Sequence, residues 1–133
     1  MENEEPPELT QRMVWIAVFM TPLLLGSVAE LALRREPPSR FVTTEILAIL
    51  MLVGFAMFGL GFRLPNRIGN APKPSKLSSD PGGSVPFAVR IVSWMLFEGI
   101  AILGFLAVLG GAPVPYFWFF AALSCIGLIL TRP

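Results

Sequence analysis

Four apolar stretches, set apart by charged or proline-rich connections, decide what this chain can become: Met13–Leu33, Ile46–Phe62, Ile91–Gly110 and Tyr116–Leu130. A hydrocarbon core of about 30 Å takes about 20 apolar residues rising 1.5 Å each, and every stretch reaches or approaches that length. The last is the shortest and crosses only with help from its flanks, Val114 and Thr131. Of 133 residues, 54% are hydrophobic and 14% charged, an apolar excess far above that of an ordinary soluble domain. The pattern predicts an all-α, polytopic membrane protein whose four transmembrane helices form two helical hairpins, 12–62 and 90–133. A signal peptide is the competing reading of the first stretch. The acidic residues before it (Glu2, Glu4, Glu5, Glu8), the length of the run and the lack of a small-residue site before Arg34–Arg35 all favour a retained helix.

The connections are read from their turn chemistry. Residues 1–11, acidic and carrying Pro6–Pro7, are expected to be a disordered tail. Residues 63–89, rich in Pro, Ser, Gly and Lys, are expected to be a flexible loop. Arg34–Arg40 reads as a short polar turn between antiparallel neighbours, and Gly110–Pro115 as a tight uncharged one. Thr43 or Thr44 is placed to cap the second helix, with Glu45 favourably close to its positive end. Pro22 has no N–H for the Val18 carbonyl, so a kink is expected, with Thr21 or a neighbouring helix serving the freed group. Gly54, Ala56, Gly59 and Gly61 on the second helix, and Gly104 and Ala107 on the third, are the expected close-packing positions. Trp15, Tyr116 and Trp118 read as interfacial anchors. The two halves also end alike, in Gly59–Pro65 and Gly127–Pro133, a faint echo of duplication.

Charge and composition exclude several functions. A net charge of +1 with no basic stripe gives no reason to expect nucleic acid. There is no histidine and a single cysteine, Cys125, which removes internal disulfides, His-based metal or haem ligation and the usual general base. No enzyme activity, metal site or cofactor is expected. Seven Lys or Arg (Arg12, Arg63, Arg67, Lys73, Lys76, Arg90, Arg132) fall on the face of the termini and long loop, against three (Arg34, Arg35, Arg40) on the other. The positive-inside rule then puts both termini and the 63–89 loop in the cytoplasm, with a bacterial inner membrane as the expected home.

One residue breaks the apolar pattern. Glu98 is the sole ionisable side chain between Ile91 and Leu109, about 10 Å into that helix and within roughly 5 Å of the bilayer centre. At that depth a carboxylate costs at least about 2.5 kcal/mol and cannot snorkel out, so a functional or structural use is expected. Hydrocarbon disfavours the charged form, and Glu98 is expected to carry its proton. Trp94, one turn before it, could give its indole N–H to the carboxyl or simply pack. Glu30, near the end of the first helix, is the secondary candidate. Its simplest use is an ion pair with Arg34, and it lies too far along the membrane normal to share a site with Glu98.

The run Glu98-Gly-Ile-Ala-Ile-Leu-Gly-Phe-Leu-Ala107 resembles the ion-carrying helix of ATP synthase c subunits and related V-type proteolipids. The resemblance covers about ten residues and implies that Glu98 would bind a proton or Na⁺ and that Gly104 would permit close helix packing. The chain departs from that family in its long 63–89 loop, its two extra helices and the sparse glycines of the preceding helix, only Gly54, Gly59 and Gly61. Two expectations therefore stand together, a non-catalytic accessory subunit held by a protonated Glu98 and a proton- or cation-handling protein. A small exporter is a third. Each implies a bilayer and either a homo-oligomer or a larger membrane complex.

Overall fold

A computed structural model describes residues 7–33, 41–69 and 86–133, and among them all regular structure is helical, without strands. Four helices run α1 (Glu8–Val28), α2 (Thr44–Gly69), α3 (Phe87–Leu109) and α4 (Val114–Leu130), with α1 continuing as a π-helical turn over Ala29–Leu33. The first three are long and apolar enough to cross a membrane, and α4 is a shorter apolar helix. The expected Arg34–Arg40 turn and most of the long loop fall outside the described residues.

Three boundaries differ from the sequence reading. α1 begins at Glu8, so residues 8–11 belong to the helix and not to a disordered tail. Pro7 opens it, with its carbonyl accepting from the N–H groups of Thr10 and Gln11, a use of proline where no helical donor is needed. α2 continues past Phe62 through Pro65 to Gly69, absorbing the first residues of the expected loop. Pro65 deprives only the Gly61 carbonyl of its donor, a small loss in a helix already packed along its length. α3 likewise starts at Phe87, inside the expected 63–89 loop.

Local signals explain the ends. Thr43 caps α2: its carbonyl accepts from Leu47 N–H at 3.0 Å and its hydroxyl from Ile46 N–H at 3.4 Å. α3 stops in a Schellman arrangement, with Ala112 N–H donating to the Ala107 carbonyl and Gly111 N–H to Val108, both at 3.0 Å. Gly111 adopts φ 102°, which only glycine takes without strain. The backbone N–H groups of Phe41 and Val42 both donate to Gly110 O at 2.8 Å, fastening the entry to α2 onto this turn.

The larger correction concerns the hairpins. α3 and α4 pack as an antiparallel pair, but α1 and α2 do not pack on one another: their Cα atoms nowhere come within 8 Å. They flank the central α3–α4 pair, and each packs on both of its members. The two halves of the chain are thus not arranged alike.

Glycines let aromatic rings reach between helices, and they are not all those expected. A Cβ added at Gly54 would meet Phe120 at 3.0 Å, and one at Gly104 would meet it at 2.6 Å, so Phe120 sits between α2 and α3 as those glycines predict. Ala107 is fully buried. Of the two glycines expected to pack here, Gly59 faces open space on the outer side of α2, and only Gly61 packs. Phe97 fills a socket between Gly61 of α2 and Gly127 of α4. It also meets Phe58 and Phe62 edge-on at ring separations of 5.6 and 5.5 Å, favourable for aromatic quadrupoles. Large apolar side chains from every helix remain exposed on the outside, among them Leu24, Leu52, Met95 and Leu130.

Candidate functional site

Glu98 lies one turn after the fully buried Trp94, next in sequence to the equally buried Phe97. Its own side chain is half-buried, between the inner face of α3 and an outer stripe made by Met95, Ile102 and Leu106. Seven residues on, along the same helical line, Phe105 packs in a cluster with Leu25 and Ala29, so this edge of α3 is the one facing α1.

The height of Glu98 follows from the register of α1 and α3. Arg90 donates to Gln11 Oε1 at 3.2 Å at one end, and Ala29 and Val108 share a buried cluster at the other. The sequence offset is the same at both ends, so the helices run parallel and in step, and Glu98 stands level with Phe19, midway along α1. The Val18 carbonyl, left without its helical donor by Pro22, belongs to the same turn of α1. Thr21 does not take up that carbonyl: its hydroxyl donates to Ala17 O at 3.4 Å.

Among the described residues, no hydrogen bond or ion pair involves the Glu98 carboxyl. In particular the Trp94 indole does not serve it. That N–H donates to Thr131 O at 3.1 Å, because Trp94 is turned into the core toward the end of α4. The helix end supplies a carbonyl with no donor of its own, a stronger acceptor position than a carboxyl on the outer edge.

Glu30 is placed quite differently. It sits in the π-helical turn, roughly 15 Å along the bundle from Glu98, and its Oε1 accepts the Trp118 indole N–H at 3.0 Å. Arg34, its expected partner, lies outside the described residues. Among the described residues, the carboxyl that joins two helices is therefore Glu30, across to α4. Sequence reasoning missed this bond; the available signal was Gly26, one turn before Glu30, whose missing side chain lets Trp118 approach (an added Cβ would meet its ring at 2.8 Å).

The tryptophans share a pattern that no motif announces. Trp15 N–H donates to Leu128 O at 2.8 Å, Trp94 to Thr131 O and Trp118 to Glu30. Each bond ties α4, the shortest helix, to α1 or α3. Arg132 N–H turns back to Ile129 O instead of bonding Leu128, which frees the Leu128 carbonyl for Trp15. Of the aromatic run at the start of α4, Phe117 and Phe120 are fully buried, whereas Tyr116, Trp118 and Phe119 keep outward surface.

All five described arginines collect at one end of the bundle, where α1 and α3 begin and α2 and α4 finish: Arg12, Arg63, Arg67, Arg90 and Arg132. Among the described residues no three Cys, Asp or Glu side chains converge as a metal site would require. Compared with protein-family models, curated proteins and solved structures, the chain matches none.

Proposed function

We propose that this chain is a small, non-catalytic integral membrane protein that works as a subunit of an assembly, with Glu98 as the polar contact across its lateral interface. One observation carries the reading: a carboxyl at mid-height, half-exposed among outward apolar side chains, with no partner among the described residues. In hydrocarbon such a group is costly until a neighbour bonds it, and a second copy of the chain or another subunit can supply that neighbour. The apolar outer surface supports the membrane setting, since a monomer in water rarely exposes so much of it. The clustered arginines support cytoplasmic termini, with a bacterial inner membrane as the home.

Self-association in lipid bilayers, followed by single-molecule photobleaching, tests the proposal. The wild type associates, Glu98→Gln keeps most of the association because an amide still donates and accepts, and Glu98→Leu weakens it about ten-fold. Equal association of the wild type and the Leu variant would sink the interface role.

The half-exposure of Glu98 also favours a second reading, proton or cation exchange at an outer carboxyl, as the resemblance to c subunits implies. A carboxyl-reactive carbodiimide then labels Glu98, and Na⁺ or excess protons alter that labelling. Labelling insensitive to both removes the ion-site reading.

A further inference from the structure

The arginine end of the bundle holds a cavity of about 390 Å³ between α2, α3 and α4. Arg90, Arg132 and Asn66 line it together with Ser93, and Phe62 and Leu130 form its apolar wall. Against a share of about 30 Å³ per water in the liquid, this is ample room for a phosphate group and part of what it esterifies.

The chemistry of the lining is one-sided. Ser93 is fully buried, and its hydroxyl has no hydrogen-bond partner, an arrangement that normally has a reason. Arg90 is steadied by the neutral Gln11, and neither Arg90 nor Arg132 makes an ion pair among the described residues. Among the described residues no carboxylate side chain lines the cavity. Beside it, Glu8 shares a smaller neighbouring space with Gln11, Arg12, Arg90 and Pro133, and it pairs with Arg12 at 4.0 Å. Two other polar groups are already committed: the Trp94 N–H donates to Thr131 O, and the Thr131 hydroxyl to Gly127 O. What remains is a set of donors on residues lining the same space: the Arg90 guanidinium beyond its bond to Gln11, the Arg132 guanidinium and the Asn66 amide NH₂, with the buried Ser93 hydroxyl behind them.

We propose that this cavity binds a phosphoester anion. Guanidinium groups match phosphate oxygens in geometry and charge, and Ser93 gives the buried side of the anion a donor. The anion can be the headgroup of an acidic phospholipid, its glycerol against Phe62 and Leu130, or a soluble phosphate entering from the same end. The lipid source rests on the membrane reading above; the phosphate chemistry does not.

The test uses the full chain in nanodiscs containing phosphatidylglycerol and phosphatidylcholine, with lipid retention read by native mass spectrometry and inorganic phosphate titrated in a parallel arm. Wild-type protein retains phosphatidylglycerol in preference to phosphatidylcholine. Arg132→Gln, a surface change that leaves the core alone, weakens this roughly five-fold. Ser93→Ala, which alters no charge, weakens it by about the same factor. Preferential lipid retention with no phosphate binding assigns a headgroup site, and phosphate binding lost in the same variants assigns a soluble anion. No preference between the lipids together with no phosphate binding, or wild-type binding in both variants, overturns the proposal. Intact self-association through Glu98 in that case shows that this site alone has failed.

Discussion

The two flanking helices are held by different physics. α1 is fixed at both ends by indole hydrogen bonds, Trp15 to the Leu128 carbonyl and Trp118 to Glu30, with Gln11 and Arg90 adding a third polar link to α3. No side chain of α2 makes such a bond to another helix among the described residues; it is held by Phe97 and Phe120 entering the space above Gly61 and Gly54. Directional bonds set the height and rotation of a helix at a few points, and dense packing sets its distance along a whole face. The open edge that carries Glu98 is on the point-fastened side. The assembly contact proposed above would use that edge, where a partner can approach without dismantling close packing.

Substitutions can break this contrast or sharpen it. The largest effect is expected from Phe97→Ala, which empties the socket shared by α2 and α4 and costs about 3–5 kcal/mol. Thermal unfolding in detergent measures it, and cross-links between introduced cysteines should be lost first across α2–α3 while α1–α4 cross-links persist. Simultaneous loss of both would show that the flanks are not separately held. Trp118→Phe keeps an aromatic ring but removes the N–H from Glu30 and part of the indole surface over Gly26, at a cost of about 1 kcal/mol for the exposed bond. This change should loosen α1 alone, and an unchanged melting curve would reduce the bond to a surface contact. The smallest effect belongs to Gly59→Ala, which meets open space and gains helix propensity, leaving stability unchanged or up to about 1 kcal/mol higher. The same change at Gly61 forces an added Cβ to within 2.7 Å of Phe97 and should destabilise; equal effects at both glycines would refute the socket.

Some of this was legible in the residues. Helix number and approximate extent follow from apolar run length, and the Thr43 cap and the Gly110–Gly111 stop follow from local chemistry that any neighbouring structure would respect. Helix ends were less readable, since Pro7 can open a helix and Pro65 can sit within one, and composition does not separate these uses from a loop. Which glycine packs was not readable at all. Gly59 and Gly61 are equivalent in sequence and lie on different faces of α2.

The candidate site divides in the same way. Glu98 stands out in the chain because a single ionisable group in an apolar run is visible without any structure. The preference of the Trp94 indole for a helix-end carbonyl, and of Glu30 for Trp118, depends on residues 37 and 88 positions away. The sequence by itself determined that this is an all-helical chain with one misplaced carboxyl and its described arginines at helix ends, since segment length and transfer free energy are local quantities. Only the tertiary structure decided that α1 and α2 stand apart, that Glu30 and not Glu98 joins two helices, and that Ser93 lines a cavity with two arginines. Those outcomes depend on which helix faces meet, and that choice is made by packing.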